Sequence, residues 1–197
     1  MNTRRHHLAA VALLVTALPG LSGCLPAVVA AGAGGGYAVH DRRSLGAQID
    51  DQTLAFRIEG NINEDTEIKE HGHINVTSYN GRILITGEAP TARARARAAE
   101  TAQADPNVRG VFNELQVAAP SSLLARSNDL LLEGKAKASL FSIELADFDP
   151  TRIKITVEQG IVYLMGIVTG QEADAATDVI RRVSGVEKVV KIFEYIR

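Results

Sequence analysis

The feature that most constrains this chain is an internal repeat at an offset of 78 or 79 positions. Ile74-Asn-Val76-Thr77-Ser-Tyr-Asn-Gly81-Arg-Ile83-Leu-Ile85-Thr-Gly87 returns as Ile153-Lys-Ile155-Thr156-Val-Glu-Gln-Gly160-Ile-Val162-Tyr-Leu164-Met-Gly166. Upstream, the series Asp51, Leu54, Ile58, Ile62 returns as Asp129, Leu132, Ala136, Leu140; downstream, Val108 and Val111 return as Val186 and Val189. One unit used twice builds two small cores rather than one large one. In each copy Asp51 or Asp129 is expected to cap a helix start, and the i, i+4 series behind it to form a core-facing stripe. Two alternating runs follow, joined by Asn80-Gly81 or Gln159-Gly160, which are hairpin turn signals. A second helix is predicted over residues 91–104 and 170–183, and a last strand over 111–117 and 189–196. The order is α-β-β-α-β.

Upstream of the repeats the chain reads as an address. Arg4 and Arg5 precede an 11-residue apolar run, residues 8–18, broken by Pro19-Gly20. That run is shorter than the roughly 20 residues a spanning helix needs, and it has the shape of an export signal. Leu21-Ser22-Gly23-Cys24 then resembles a bacterial lipobox, which implies cleavage before Cys24, the lone cysteine, and lipid attachment there. Leu25 in place of Asp after that cysteine points to the outer membrane. Residues 24–45 are expected to be the acylated cysteine and a flexible tether. Gly32, Gly34, Gly35 and Gly36 lack the dinucleotide-binding spacing, since Tyr37 stands where a glycine would be needed.

The spacing Gly-x-[Val/Ile]-x-[Leu/Ile]-x-Gly, at residues 81–87 and 160–166, resembles the mark of the BON domain family. The resemblance covers residues 46–117 and 124–197, with 118–123 as linker. It implies an α+β fold of two tandem BON domains, each with a small three-stranded mixed sheet packed on two helices. It also implies phospholipid binding and a role in outer-membrane integrity, with division sites as one place for it. Glu88-Ala89-Pro90 departs from the family pattern, which expects the first strand pair to run on as it does at Val168. Gly134 weakens the second copy's first helix by about 1 kcal/mol against Ala.

Chemistry is sparse. Twenty-one basic against 23 acidic residues leave a formal net charge of −2, and there is no Trp, which argues against bulk nucleic-acid binding or a stacking platform. One cysteine excludes a disulfide framework and any multi-cysteine metal site. His71-Gly72-His73 would share a strand face but lacks a third ligand at a known spacing. Arg93, Arg95 and Arg97 read as a solvated helix face, the first copy holding 11 acids and 7 bases over residues 44–117. No nucleophile elbow or catalytic acid pair is present. No enzyme, metal, cofactor, nucleic acid or small-molecule substrate is expected.

The two copies differ in one informative place. Over residues 129–145 at 100° per residue, Leu132, Ala136, Leu140 and Ile143 fall within about 80°. Leu130, Leu131, Phe141 and Leu145 form a second apolar sector on the far side, flanked by Lys135 and Lys137. The matching helix of the first copy is expected to put Asp51 and Glu59 outward. An apolar face bordered by lysines suits an anionic phospholipid surface. The expectation is therefore a phospholipid-docking site at Leu130, Leu131, Lys135, Lys137, Phe141 and Leu145, working with lipid-bearing Cys24. The alternative is an envelope adaptor whose same face docks a partner protein or packs on the first copy.

Overall fold

The computed structural model describes residues 41–197; the export signal, Cys24 and the glycines of residues 32–36 lie outside the described residues. The first copy consists of α1 (Leu45–Ile62), α2 (Thr66–His71), β1 (His73–Tyr79), β2 (Arg82–Ala89), α3 (Ala92–Gln103), β3 (Gly110–Asn113) and β4 (Gln116–Val117). The second consists of α4 (Leu123–Leu140), β5 (Ile153–Glu158), β6 (Ile161–Val168), α5 (Gly170–Ile180) and β7 (Lys188–Tyr195). In each sheet the middle strand pairs antiparallel with the first strand and parallel with the last, giving the mixed sheets the repeat implies. Ile58, Ile62, Ile83, Ile85 and Ala98 fill one core; Ala136, Leu140, Val162, Leu164 and Ile180 fill the other.

Asp51 and Asp129 do not cap their helices. Both helices start six residues earlier, where Ser44 Oγ accepts from Ala47 N at 3.1 Å and Ser122 Oγ from Ala125 N at 3.2 Å. The carboxylates instead clamp the hairpin turns. Asn80 N and Gly81 N donate to Asp51 at 2.7 and 2.9 Å, and Gln159 N and Gly160 N to Asp129 at 2.9 and 3.0 Å. These turns have two residues at positive φ, 52° and 73° in the first and 50° and 74° in the second, the geometry of a two-residue hairpin. Their amides point away from the ladder and need an acceptor, which the buried helix supplies.

The second glycine of each motif marks a close backbone approach. A Cβ on Gly87, which has φ +107°, would lie 2.1 Å from the His73 carbonyl oxygen; on Gly166 it would lie 2.6 Å from that of Arg152.

Three other details differ from the sequence reading. The last strand of the first copy is broken between β3 and β4, where Leu115 turns into the core. His71 ends the short helix α2 and His73 opens β1, so the two imidazoles do not share a strand. The three arginines on α3 do lie at the surface, but two of them are also engaged. Arg97 donates to Asp65 and Glu67, tying α3 to α2, and Arg95 donates to the Asn113 carbonyl.

The outer faces of the two sheets pack on each other. Tyr79 and Leu84 of one sheet meet Tyr163, Met165 and Ile192 of the other in a third buried cluster. The result is a four-layer sandwich of helices, sheet, sheet and helices. The contact is self-complementary: Thr77 and Thr156, equivalent in the repeat, meet Oγ1 to Oγ1 at 3.3 Å. Asn75 donates to Glu158 at 3.0 Å, and Asn80 to Glu194 at 3.1 Å. The sequence carries a signal for this layer. Strand β6 is apolar at every position but Gly166, which is how a strand buried on both faces reads.

The sandwich is closed at one end by residues expected to belong to the tether. Arg42 donates to the Ile167 carbonyl at 2.6 Å and to Glu172, while Arg43 holds Asp41 and Asp51 and lies 3.6 Å over the Tyr79 ring. Residues 41–43 are thus part of the packed structure rather than of a free tether.

Candidate membrane-docking site

Helix α4 sits on the outside of the second sheet. Its 18 residues turn Leu132, Ala136 and Leu140 onto the core. The opposite arc is open. Leu123, Leu124, Leu130, Leu131 and Phe141 are 78%, 72%, 71%, 65% and 74% exposed. At 100° per residue they span about 120° of the helix surface. Between them lies Gly134, where a Cβ would meet nothing within 4 Å. Because the domains join through their sheets, the first domain leaves this arc uncovered.

Lys135 and Lys137 border the arc on its two sides, and both are exposed. Lys137 is paired with Glu133 one turn back, a surface pair of the kind worth well under 1 kcal/mol. The helix ends at Leu140 with Phe141 as its cap, so Leu145 is not on the apolar arc. It lies in the loop beyond and is only half-exposed. Sequence reasoning also stopped nearly two turns short at the other end. By taking Asp129 as the cap it missed Leu123 and Leu124, although Ser122 in front of a leucine pair was a readable start signal.

The first domain's helix is not the polar counterpart expected. Asp51 is buried, accepting from Ser78, Asn80, Gly81 and Arg43. Burial raises the pKa of its carboxyl, but those four bonds outweigh it and hold the group below the usual carboxylate range. Outward, α1 exposes Leu45, Ile49 and Phe56. Gln52 and Thr53 stand where α4 has Leu130 and Leu131, and α1 carries no lysine.

Along the side where β1 and β5 lie edge to edge, α1 and α4 wall a trough. One part, about 490 Å³, is lined by Glu59 of α1 and by Leu130, Glu133 and Lys137 of α4. The adjoining part, about 510 Å³, is lined by Leu45, Gln48 and Ile49 of α1 together with Lys137 and Lys154. Among the described residues no helix is long and apolar enough to cross a membrane, and no group of three or more His, Cys, Asp or Glu side chains is placed to hold a metal.

Two α-β-β-α-β units sharing a sheet-to-sheet layer, with one apolar helix face left open, define a tandem α+β module. The BON domain pattern matches residues 50–119 and 129–196, and the chain belongs to the BON domain family. It is 37% identical over 186 residues to the outer membrane lipoprotein DolP of Haemophilus influenzae, covering 94% of this chain and 95% of that one. It is 34% identical over 157 residues to a 21 kDa hemolysin of Actinobacillus pleuropneumoniae, covering 80% of each. The chain's place is the outer membrane, where a lipid anchor holds it.

Proposed function

We propose that this lipoprotein docks its second BON domain on anionic phospholipid through the outward arc of α4, and that this contact supports outer-membrane integrity, including at division sites. The observation that carries the reading is the arc itself. Monomeric proteins rarely leave five large apolar side chains together in water, and such patches mark contact surfaces. Lys135 and Lys137 at its borders favour headgroup phosphates, each worth about 1 kcal/mol at an anionic surface. Lipid-bearing Cys24 is the first attachment and α4 the second. A single acyl chain or helix gives reversible contact, whereas the two together give stable, oriented contact on the periplasmic side.

The test is sedimentation of the unacylated mature chain, residues 24–197 with Cys24→Ser, with vesicles. Binding to phosphatidylglycerol-containing vesicles but not to pure phosphatidylcholine, lost on Leu131→Glu with the circular dichroism unchanged, supports the reading. No binding by the parent chain overturns it in favour of an envelope adaptor that presents the same arc to a protein.

A further inference from the structure

We propose that the cleft between α1 and β5 receives the phosphate of an anionic lipid headgroup, with the Lys154 and Lys137 ammonium groups and the Gln48 side-chain amide as donors. This deepens the α4 reading and rests on it. Lys137 already has Glu133 as a surface partner, so among the described residues the free ammonium group of the cleft is that of Lys154. Lys154 makes one long hydrogen bond, 3.5 Å to the Ser78 carbonyl, and among the described residues no carboxylate lies within ion-pair range of it. The acids beside it are occupied. Asp51 accepts four donors, about all a carboxylate holds, and Asp41 is taken by Arg43. Lys154 is itself exposed, so its ammonium group is open to an anion entering the cleft.

Gln48 supplies the second, independent sign. It lines the same cleft, and its Nε2 is buried with no hydrogen-bond partner among the described residues. Such an orphan donor costs roughly 1–3 kcal/mol unless something accepts from it. A phosphate diester carries a full negative charge and oxygens enough for all three donors. The cleft, about 510 Å³, falls within the range of small-ligand sites.

The broken symmetry sharpens the case. Across the domain pair the position equivalent to Lys154 is Asn75, which is satisfied internally by Glu158 at 3.0 Å. Only the second copy places a cation there and leaves it without an acid. Position favours a lipid over a free anion. The cleft adjoins the groove lined by Leu130 of the docking arc, with Lys137 and Lys154 lining both. Asp41 also lines it and follows Cys24 by 17 residues, a span of at most about 60 Å.

The test uses the Cys24→Ser mature chain with two probes: phosphatidylglycerol in phosphatidylcholine vesicles, and short-chain dihexanoyl-phosphatidylglycerol in solution, with inorganic phosphate as the comparison. The expected result is that Lys154→Met lowers vesicle affinity about five- to tenfold, that Lys154→Arg restores it, and that the soluble lipid shifts the Gln48 and Lys154 amide resonances. Gln48→Leu, which leaves every charge in place, is expected to weaken vesicle binding about threefold and serves if the methionine variant melts early. Vesicle affinity of Lys154→Met and Gln48→Leu equal to the parent's, with Leu131→Glu still losing it, overturns the cleft and leaves the α4 reading standing. Loss of binding in the parent itself removes both. Equal resonance shifts from inorganic phosphate, with vesicle affinity unchanged in the variants, identify a small-anion site and also overturn the headgroup assignment.

Discussion

Helices α1 and α4 are the same element used twice, and they diverge where the fold does not need them to agree. Their inward faces match residue for residue: an aspartate that clamps the hairpin turn, then an apolar series on the sheet. Their outward faces do not. Helix α1 exposes three large apolar residues within about 40° of its surface, bordered by Gln52, Thr53 and Glu59, whereas α4 exposes five over about 120° with lysines on both borders. The fold therefore constrains the clamp and the stripe, while the solvent arc is free to acquire a function. The sharing of tasks extends to the aspartates: Asp51 also binds Ser78 and Arg43, which ties Arg43 to the first hairpin, whereas among the described residues Asp129 accepts only from its own turn.

The comparison breaks first at the backbone. Gly87→Ala is expected to cost about 3 kcal/mol, because positive φ and a 2.1 Å approach to the His73 carbonyl oxygen coincide there. Gly166→Ala, with the milder 2.6 Å approach, is expected to cost about 2 kcal/mol; urea unfolding of both gives the order. Asp51→Ala comes next, at about 3 kcal/mol against about 2 for Asp129→Ala, since it strands two turn amides and also the Ser78 and Arg43 donors. Equal losses would mean that the extra partners contribute nothing.

A pH experiment separates the domains as well. Glu172, in the capping box of α5, is pushed upward by burial but brought down to about 2 by Arg42, the Thr169 amide and Arg152. A carboxyl depressed in the folded state stabilises fully above its unfolded value near 4.5, and that contribution fades as the pH falls toward 2. Glu172→Gln is expected to lose about 2 kcal/mol at neutral pH and to show a flatter decline between those pH values. The equivalent helix α3 has no such glutamate, so the first domain's acid response is expected to come from other depressed carboxyls, Asp51 of the turn clamp among them. The smallest effect on the fold, and the largest on function, comes from the outward arcs. Leu131→Glu is expected to lower affinity for anionic vesicles at least about tenfold with an unchanged melting temperature, and Thr53→Glu at the matching place on α1 to leave it within about twofold.

Most of the architecture was legible because the repeat turns each motif into a second reading of the same motif. Gly81 and Gly160 announced the turns, and the i, i+4 stripes announced the helices. The clamp was not legible as such: an aspartate ahead of an apolar series reads as a cap, and only the distant hairpin amides reveal its partner. The domain interface was half legible. The unbroken apolar run of β6 showed two buried faces, but Thr77, Asn75 and Glu158 find partners only across the pair. Within the candidate site, Leu130, Leu131, Lys135, Lys137 and Phe141 followed from periodicity. Leu123, Leu124 and the loop position of Leu145 depended on where the helix starts and stops, which local polarity leaves open by a turn.

The most direct test of the central claim places an environment-sensitive fluorophore on single cysteines in the Cys24→Ser chain, one at position 131 on α4 and one at position 93 on α3. With phosphatidylglycerol-containing vesicles, the account predicts a blue-shifted, brighter emission at 131 and no change at 93. An unchanged spectrum at 131 while the protein co-sediments with the vesicles would contradict it, because the second domain would then be meeting the bilayer with some other face.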